Sequence, residues 1–191
     1  MTEQIVTSIR NVQLRFETNP RLFSPRKVDA GTLAMLSVAE FEPRDKVLDL
    51  GCGYGVVGVF AAKQTSPQRV FLIDNDPVAV RCASVNARLN EVGGVTVVCS
   101  DGFRDFRETG FTKMLCNPPY HADFEVAKHF IQKGFNRLEL GGTLYMVTKR
   151  EAWYRNKLHA IFGVVRVHTL GSYFVFEATK IAATYANARR V

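Results

Sequence analysis

The sequence predicts an α/β fold: a seven-stranded, mostly parallel sheet with helices on both faces and an antiparallel C-terminal hairpin. Two observations carry this prediction. From Lys46 onward, short apolar runs alternate with longer helical patterns, which is typical of βαβ units. The last two apolar runs are separated only by Gly171-Ser172, which favours a closing antiparallel pair.

The N-terminal part predicts a short β-hairpin followed by a connector. The alternation of apolar and polar residues over Val12–Glu17 is typical of a strand with one buried face, and Ile5–Ile9 would pair with it. Asn19-Pro20 ends this unit. Asp29 is placed to cap a helix whose apolar residues follow it. These residues are Leu33, Leu36, Val38 and Ala39.

The remaining strands and helices are predicted from apolar runs and from the glycine, proline and polar residues that end them. The predicted strands of the sheet are Val47–Leu50, Arg69–Ile73, Val95–Cys99, Phe111–Cys116, Thr143–Thr148, Val164–Thr169 and Tyr173–Thr179. The predicted helices between them are Val56–Lys63, Pro77–Asn90, Asp123–Leu138 and Glu151–Phe162. Pro77 suits the first turn of its helix, and Gly163 suits the end of the last one.

Composition favours one globular domain. Of the 191 residues, 47% are hydrophobic and 23% are charged, and no apolar run approaches the ~20 residues needed to span a bilayer. The polar start is unlike a signal peptide, so a cytoplasmic protein without membrane contact is expected. Residues 1–28 would form the hairpin and connector, 29–179 the core and 180–191 a flexible tail, with the oligomeric state left open.

Cysteine spacing and net charge bound the chemistry. Cys52, Cys82, Cys99 and Cys116 form no Cys-x-x-Cys pair, so neither a metal site nor a disulfide framework is expected. The net charge is +7 and the pI about 9.4, which is compatible with a polyanionic partner but does not establish one.

A glycine-rich loop lies between the first strand of the core and its helix. Gly51, Gly53 and Gly55 stand where a ligand can approach the backbone at a helix N-terminus. A dinucleotide loop usually has the spacing Gly-x-Gly-x-x-Gly, and here the third glycine comes one residue early. This spacing leaves open a ligand without phosphate, S-adenosyl-L-methionine.

Aspartates stand at successive strand ends beside this loop. Asp74 is placed to accept hydrogen bonds from ribose hydroxyls, and Asp101 from an adenine amine held by Gly102 and Phe103. Asp49 would orient the loop or attract a cationic ligand, although strand-end aspartates also serve as helix caps. The full predicted cofactor-binding set is Asp49, Gly51, Cys52, Gly53, Gly55, Asp74, Asn75, Asp101, Gly102, Phe103 and Asn117.

The strand Phe111–Cys116 ends in a stiff elbow, Asn117-Pro118-Pro119-Tyr120. Two prolines fix φ and remove two backbone donors, so the sheet cannot continue. The elbow therefore presents an amide, a free carbonyl and an aromatic face at the edge where open α/β sheets bind ligands.

These motifs together resemble the class I S-adenosylmethionine-dependent methyltransferases, which have a Rossmann-like fold. The residues that match this family are Val47 through Gly55, Asp74, Asp101 and the elbow. Phe23-Ser24-Pro25, Val28 through Thr32, His121 and Leu140-Gly141-Gly142 narrow the resemblance to the RsmC-type domain. That family methylates the exocyclic N2 of guanine in small-subunit ribosomal RNA. The resemblance implies an RNA substrate, as ribosomal RNA or a ribosomal subunit, with Asn117, Pro118 and Tyr120 as catalytic residues.

Other functions stay open. A protein glutamine methyltransferase of the release-factor type also uses Asn-Pro-Pro-Tyr, but its usual glutamates are absent around Pro25–Thr32. Adenine-N6 methylation and a non-catalytic cofactor-binding or RNA-binding module are further alternatives, whereas a nicotinamide dehydrogenase fits the loop poorly. Two clusters of basic residues would flank the predicted site and neutralise phosphates. They are Arg15, Arg21, Arg26 and Lys27, and Lys149, Arg150, Arg155 and Lys157.

Overall fold

The computed structural model describes residues 3–118 and 124–185. Its strands are β1 (Glu3–Ile9), β2 (Val12–Thr18), β3 (Val47–Leu50), β4 (Val70–Asp74), β5 (Thr96–Cys99), β6 (Phe111–Cys116), β7 (Leu138–Thr148), β8 (Val165–Leu170) and β9 (Tyr173–Thr179). Its helices are α1 (Ala30–Val38), α2 (Val56–Gln64), α3 (Pro77–Leu89), α4 (Phe124–Arg137) and α5 (Glu151–Phe162), with a 3-10 turn at Pro67–Arg69.

Seven strands form one sheet in the order β5-β4-β3-β6-β7-β9-β8. Strands β3 to β7 pair in parallel, and β9 pairs antiparallel with both β7 and β8. The predicted sheet with its C-terminal hairpin is confirmed. The chain builds β3, β4 and β5 toward one edge and then returns at β6 on the other side of β3. This reversal creates a crevice at the carboxyl ends of β3 and β6.

Apolar residues on both faces of the sheet form two cores. Successive residues of β6 point to opposite faces, so Leu115 packs with α1, α2 and α3 while Met114 packs with α4 and α5. All four residues of β3 are buried, as expected for a central parallel strand covered on both faces. No helix within the described ranges is long and apolar enough to cross a bilayer.

Strand β7 begins at Leu138 rather than at the predicted Thr143. The backbone pairs through the glycines there: Gly141 N–H donates to Lys180 O, and Lys180 N–H donates to Gly142 O, both at 2.8 Å. The buried Lys180 ammonium also donates to Leu138 O at 2.8 Å. Tyr185 Oη donates to Gln132 O at 2.7 Å. Residues 180–185 are therefore held against the core and are no free tail, while 186–191 lie outside the described residues.

The predicted N-terminal hairpin forms a separate two-stranded sheet that packs on α3. Two asparagines one helical turn apart take the place of a neighbouring strand. Asn86 Oδ1 accepts from Glu17 N–H at 2.7 Å, and Asn86 Nδ2 donates to Glu17 O and Tyr54 O at 2.8 Å. Asn90 Oδ1 likewise accepts from Arg15 N–H at 3.0 Å, and its Nδ2 donates to Arg15 O at 2.6 Å. The backbone of β2 thus finds partners where it meets the core.

Replacement of Asn86 by alanine should weaken the attachment of the hairpin. The change removes the partner of the part-buried Glu17 amide and carbonyl and of the buried Tyr54 carbonyl. We expect a loss of about 2–5 kcal/mol of unfolding free energy in urea denaturation, followed by Trp153 fluorescence. Ser84→Ala on the same helix is the control and should stay within ~0.5 kcal/mol of wild type. An unchanged urea midpoint for Asn86→Ala would contradict this role.

Candidate functional site

A cavity of about 650 Å³ lies outside the carboxyl ends of the parallel strands. It sits at the reversal of strand order, where open α/β sheets bind ligands. Segments that follow β3, β4, β5 and β6 form its floor, and the connector before α1 and the first turns of α4 form its sides. The predicted residues among its lining are Asp49, Gly51, Cys52, Gly53, Asp74, Asn75, Asp101, Gly102, Asn117 and Pro118.

The glycine loop leaves its backbone open to the cavity. Gly51 and Gly53 have φ values of 76° and 53°, a left-handed conformation that suits glycine. A Cβ at either position would meet no atom within 4 Å. The N–H groups of Gly51 and Cys52 donate to Ile73 O at 2.9 and 3.0 Å, which ties the loop to β4. The loop is therefore firmly held on one side and free on the other.

Two residues of the predicted cofactor-binding set are not in the cavity lining. Gly55 precedes α2 with φ 94°, and a Cβ there would lie 3.1 Å from Ala83 Cβ, so it serves close packing against α3. Phe103 is 4% exposed and packs in the core beneath α4. The described aromatic side chains that line the cavity are instead Phe23, Tyr54, His129 and Phe130, and the last two, on α4, pack against the Phe103 ring.

The α4 residues were missed from the sequence. Glu125 and His129, and Val126 and Phe130, are pairs spaced four residues apart on one side of α4, and all four line the cavity. This spacing marks a common helix face, but it does not say which ligand or core the face meets.

Asp74 connects the end of β4 to the glycine loop. One carboxylate oxygen accepts from Gly53 N–H at 2.8 Å, and the other accepts from Asp76 N–H at 2.9 Å. Each oxygen retains a lone pair that can accept a further hydrogen bond from a ligand. Asp101 lies after β5 with its side chain 61% exposed, and it pairs with Arg104 at 3.3 Å. Asp101 therefore stands at the rim of the cavity.

Asp49 lies beneath the glycine loop and is only 3% exposed. One of its oxygens accepts from Gly58 N–H at 2.8 Å. Burial raises the pKa of Asp49 to about 7; the Gly58 hydrogen bond opposes this shift, and the charge of Asp74 adds to it. This carboxyl group consequently changes its charge near neutral pH.

The two cysteines near the loop are poorly suited to nucleophilic chemistry. Burial raises the pKa of the Cys52 and Cys116 thiols well above their usual range, and the charge of Asp49 adds to both shifts. Both thiols stay protonated at neutral pH, whereas the thiolate is the reactive form. Within the described part of the chain, no group of three or more metal-ligating side chains is placed to hold an ion.

Asn117 stands directly after β6 with its amide fixed by α1. Its Nδ2 donates to Asp29 Oδ2 and to Thr32 Oγ1, both at 2.9 Å. Its Oδ1 is buried and has no hydrogen-bond partner among the described residues. Pro118 follows as a buried residue of the cavity wall. The predicted catalytic Tyr120 lies outside the described residues, as do Pro119 and His121.

Charge in the cavity is opposite in sign to the net charge of the chain. Six carboxyl groups line it against two guanidinium groups, Arg21 and Arg104. The carboxyl groups belong to Asp29, Asp49, Asp74, Asp76, Asp101 and Glu125. Such a lining favours a cationic ligand and disfavours a pyrophosphate.

The predicted basic groups lie at the surface in the described ranges. Arg15, Arg21, Arg26 and Lys27 are exposed. The Lys149 ammonium lies 5.0 Å from the centre of the Tyr173 ring, and the Arg150 guanidinium lies 5.2 Å from that of Phe124. Arg155 pairs instead with Glu151. Arg21 lines the cavity, and the other groups place positive charge outside it.

Comparison with known proteins finds relatives that are named as ribosomal RNA methyltransferases. The chain is 27% identical over 192 aligned positions to ribosomal RNA large subunit methyltransferase G of Yersinia enterocolitica, covering 95% of this chain and 48% of the relative. The corresponding protein of Klebsiella pneumoniae is 29% identical over 168 positions, covering 84% of this chain and 45% of the relative. The chain thus spans about half the length of the curated relatives it matches.

Among solved structures, the 16S rRNA guanine N2 methyltransferase RsmC of T. thermophilus, in complex with AdoMet and guanosine, superposes with a TM-score of 0.87. It is 25% identical, and the match covers 94% of this chain and 50% of that chain. This likeness confirms the Rossmann-like class I methyltransferase fold expected from the motifs. Residues 13–177 match the family model described as methyltransferase small domain. Because that match takes in both the glycine loop and the elbow, the protein belongs to the methyltransferase small domain family.

Proposed function

We propose that this domain is an S-adenosylmethionine-dependent N-methyltransferase whose substrate is the exocyclic N2 of a guanine in ribosomal RNA. The observation that carries the proposal is the amide of Asn117. Its nitrogen is fully engaged by Asp29 and Thr32, so a buried acceptor oxygen remains at the cavity wall. An amine donor on the substrate would satisfy that oxygen.

The cavity fits the cofactor in size, backbone and charge. About 650 Å³ lies within the range of small-molecule sites, and the open faces of Gly51 and Gly53 admit a ligand close to the chain. Asp74 would accept from the ribose hydroxyls and Asp101 from the adenine amine, with Asp49 near the cationic end. When bound, the cofactor supplies an electrophilic methyl group on a positively charged sulfur.

The elbow prepares the amine for attack. An exocyclic amine is a poor nucleophile because its lone pair is delocalised into the ring. Asn117 Oδ1 and the Pro118 carbonyl would each accept one N–H, which favours a tetrahedral nitrogen with its lone pair directed at the methyl group. The amine held in this way would take the methyl group that the cofactor supplies, the electrons of the carbon–sulfur bond would remain on sulfur, and the amine proton would pass to water. Tyr120 would stack on the base, which must leave its helix first where it is paired.

The choice of substrate is supported by the relatives and by charge. Large-subunit and small-subunit ribosomal RNA both occur in the names of similar proteins, so the proposal names ribosomal RNA and neither subunit. Guanine N2 is the position named for RsmC. Exposed cations near the cavity, together with the net charge of +7, suit a phosphate backbone. A substrate of this kind would be met in the cytoplasm.

The proposed substrate is tested by incubating the protein with methyl-labelled cofactor and separate acceptors. The acceptors are both ribosomal subunits, free ribosomal RNA, transfer RNA and release factors. We expect label in N2-methylguanosine after digestion of ribosomal RNA and mass spectrometry of the nucleosides. Label in glutamine of a release factor, or in N6-methyladenosine, would replace the proposal with one of the alternatives. Cofactor binding without any labelled acceptor would indicate a binding module.

Asn117→Ala should slow methyl transfer by roughly 10²-fold or more, because the substrate amine loses an oriented acceptor in the transition state. The dissociation constant of the cofactor should change much less, since the loop and the strand-end carboxylates remain. Single-turnover rates and calorimetric titration separate the two quantities. Asn156→Ala, at an exposed position of α5, is the matched control. Near wild-type turnover of Asn117→Ala would remove Asn117 from the reaction.

Cofactor affinity should depend on pH through Asp49. Its pKa is about 7 in the free protein, and a bound cation favours the charged carboxylate, so binding lowers the pKa and releases a proton. Affinity should therefore rise with pH up to about 7 and level off above it, by at most tenfold per pH unit. Calorimetry in buffers of different ionisation enthalpy measures the released proton. Equal pH slopes for wild type and Asp49→Asn would refute this linkage.

A further inference from the structure

We propose that Asp29 and Thr32 are positioning residues that turn the Asn117 amide so that the site accepts an amine. The inference rests on the proposed function and deepens it. Both residues line the cavity, and the role proposed for them is to hold Asn117. Both act through Asn117, from which they are separated by 88 and 85 positions in the chain.

The two residues are themselves fixed by the start of α1. Asp29 is the N-cap of α1, and its Oδ2 accepts from Thr32 N–H at 2.9 Å. The same Oδ2 accepts from Asn117 Nδ2 at 2.9 Å, and Thr32 Oγ1 accepts from that nitrogen at 2.9 Å. Thr32 is 8% exposed, so water has little access to compete. Both hydrogens of the amide nitrogen are therefore used by one helical turn.

Only one orientation of the amide is compatible with this neighbourhood. If the Asn117 amide turned by 180°, its oxygen would face the Asp29 carboxylate at hydrogen-bond distance. A carboxylate has no proton to donate, so the two acceptors would repel each other. The amide nitrogen would at the same time lose both partners. The Asp29 oxygen, fixed as an acceptor by the Thr32 N–H, therefore decides the orientation, and the Thr32 hydroxyl supports it.

The orientation determines which chemical group the site accepts. With the nitrogen engaged, the remaining hydrogen-bonding group of Asn117 is a buried acceptor oxygen that has no donor among the described residues. An NH2 group satisfies this oxygen, whereas a ring nitrogen without hydrogen would leave it unpaired in a buried place. Sites of this kind reject analogues that lack the donor because the unpaired protein group is costly. The first turn of α1 thus contributes to the selection of a substrate that carries an amine.

Substitutions at position 29 separate capping from positioning. Serine caps a helix as well as aspartate does, but its side chain is shorter and would not reach Asn117. Asparagine retains an oxygen that can accept from both Thr32 N–H and Asn117. We expect Asp29→Ser to lower kcat roughly 10- to 100-fold, the range seen when partners that orient a functional side chain are lost. Asp29→Asn should recover most of the rate. The melting temperature should stay near wild type in both. Each variant also removes one of the six carboxyl groups of the cavity, so kcat is compared at saturating cofactor.

Substitutions at position 32 test the same positioning role, with a smaller expected effect on kcat. Thr32→Val removes the acceptor hydroxyl with little change in shape, and it should lower kcat by about 3- to 10-fold. Thr32→Ser keeps the hydroxyl and should remain close to wild type. Ser37→Ala, an exposed hydroxyl on the same helix, is the matched control. A wild-type kcat for both Asp29→Ser and Thr32→Val would overturn the proposal.

A double-mutant cycle gives the sharpest test. With Asn117→Asp, both oxygens of residue 117 are acceptors, so orientation no longer matters and Asp29 becomes a repelling neighbour. Asp29→Ser should therefore lower the rate in the wild-type background but leave it unchanged or raise it in the Asn117→Asp background. A purely structural effect of Asp29 would be the same in both backgrounds. Equal losses in the two backgrounds would refute the positioning role.

A readout without substrate distinguishes this proposal from the proposed function. In protein labelled with ¹⁵N at asparagine, the Asn117 amide protons should exchange slowly in wild type and at least about tenfold faster in Asp29→Ser. Equal exchange in the two would overturn the orientation, whatever the activity. Slow exchange in a wild-type protein that methylates no amine would instead leave the orientation intact and reject the proposed function with its amine selection.

Discussion

The parallel pairing of β3 with β6 is the constraint on which the site depends. Leu50 is paired with Cys116, so Gly51 and Asn117 are the next residues at the same edge of the sheet. The chain leaves β3 toward β4 and returns at β6 on the opposite side, so the loops that follow β3 and β6 diverge and leave a crevice between them. A slip of one residue in this register would turn the buried faces of β6 to the wrong cores. The glycine loop and the elbow therefore stay together only because two apolar cores hold β6 in place.

The N-terminal segments complete the site from outside the sheet. Asn86 and Asn90 bind the hairpin to α3, and the connector that follows the hairpin leads directly into α1. Because α1 packs against β7 and β9, the first turn of α1 is held beside Asn117. The same Asp29 oxygen then serves the helix end and Asn117. In this arrangement a capping interaction, common at any helix start, also orders a side chain of the neighbouring loop.

Local patterns predicted the strands, all five α-helices of the described residues and the loops that line the cavity, but not the 3-10 turn at Pro67–Arg69. The glycine spacing, the strand-end aspartates and the two prolines are features of short, contiguous stretches. They could therefore be recognised from the sequence. Side-chain direction could not: Phe103 turns into the core, while His129 and Phe130 reach the wall from α4. The bond from Asn117 to Asp29 spans 88 positions and follows from packing of α1 on the sheet. The early start of β7 likewise depends on pairing with Lys180 across the hairpin.

The distribution of charge fits the two ligands of the proposed function. Carboxyl groups line a cavity of restricted volume, where charges interact more strongly than at the surface, whereas the excess of basic residues lies outside. The proposed cationic cofactor and polyanionic substrate would thus be drawn to different regions of one small domain. Under the proposed function, the sulfur would be neutral after methyl transfer, so its attraction to the buried Asp49 would fall. Asp49 could then take up a proton near neutral pH, since burial holds its pKa at about 7. The proposed role of Asp49 would therefore weaken its hold on the product and favour exchange of the spent cofactor for a new one.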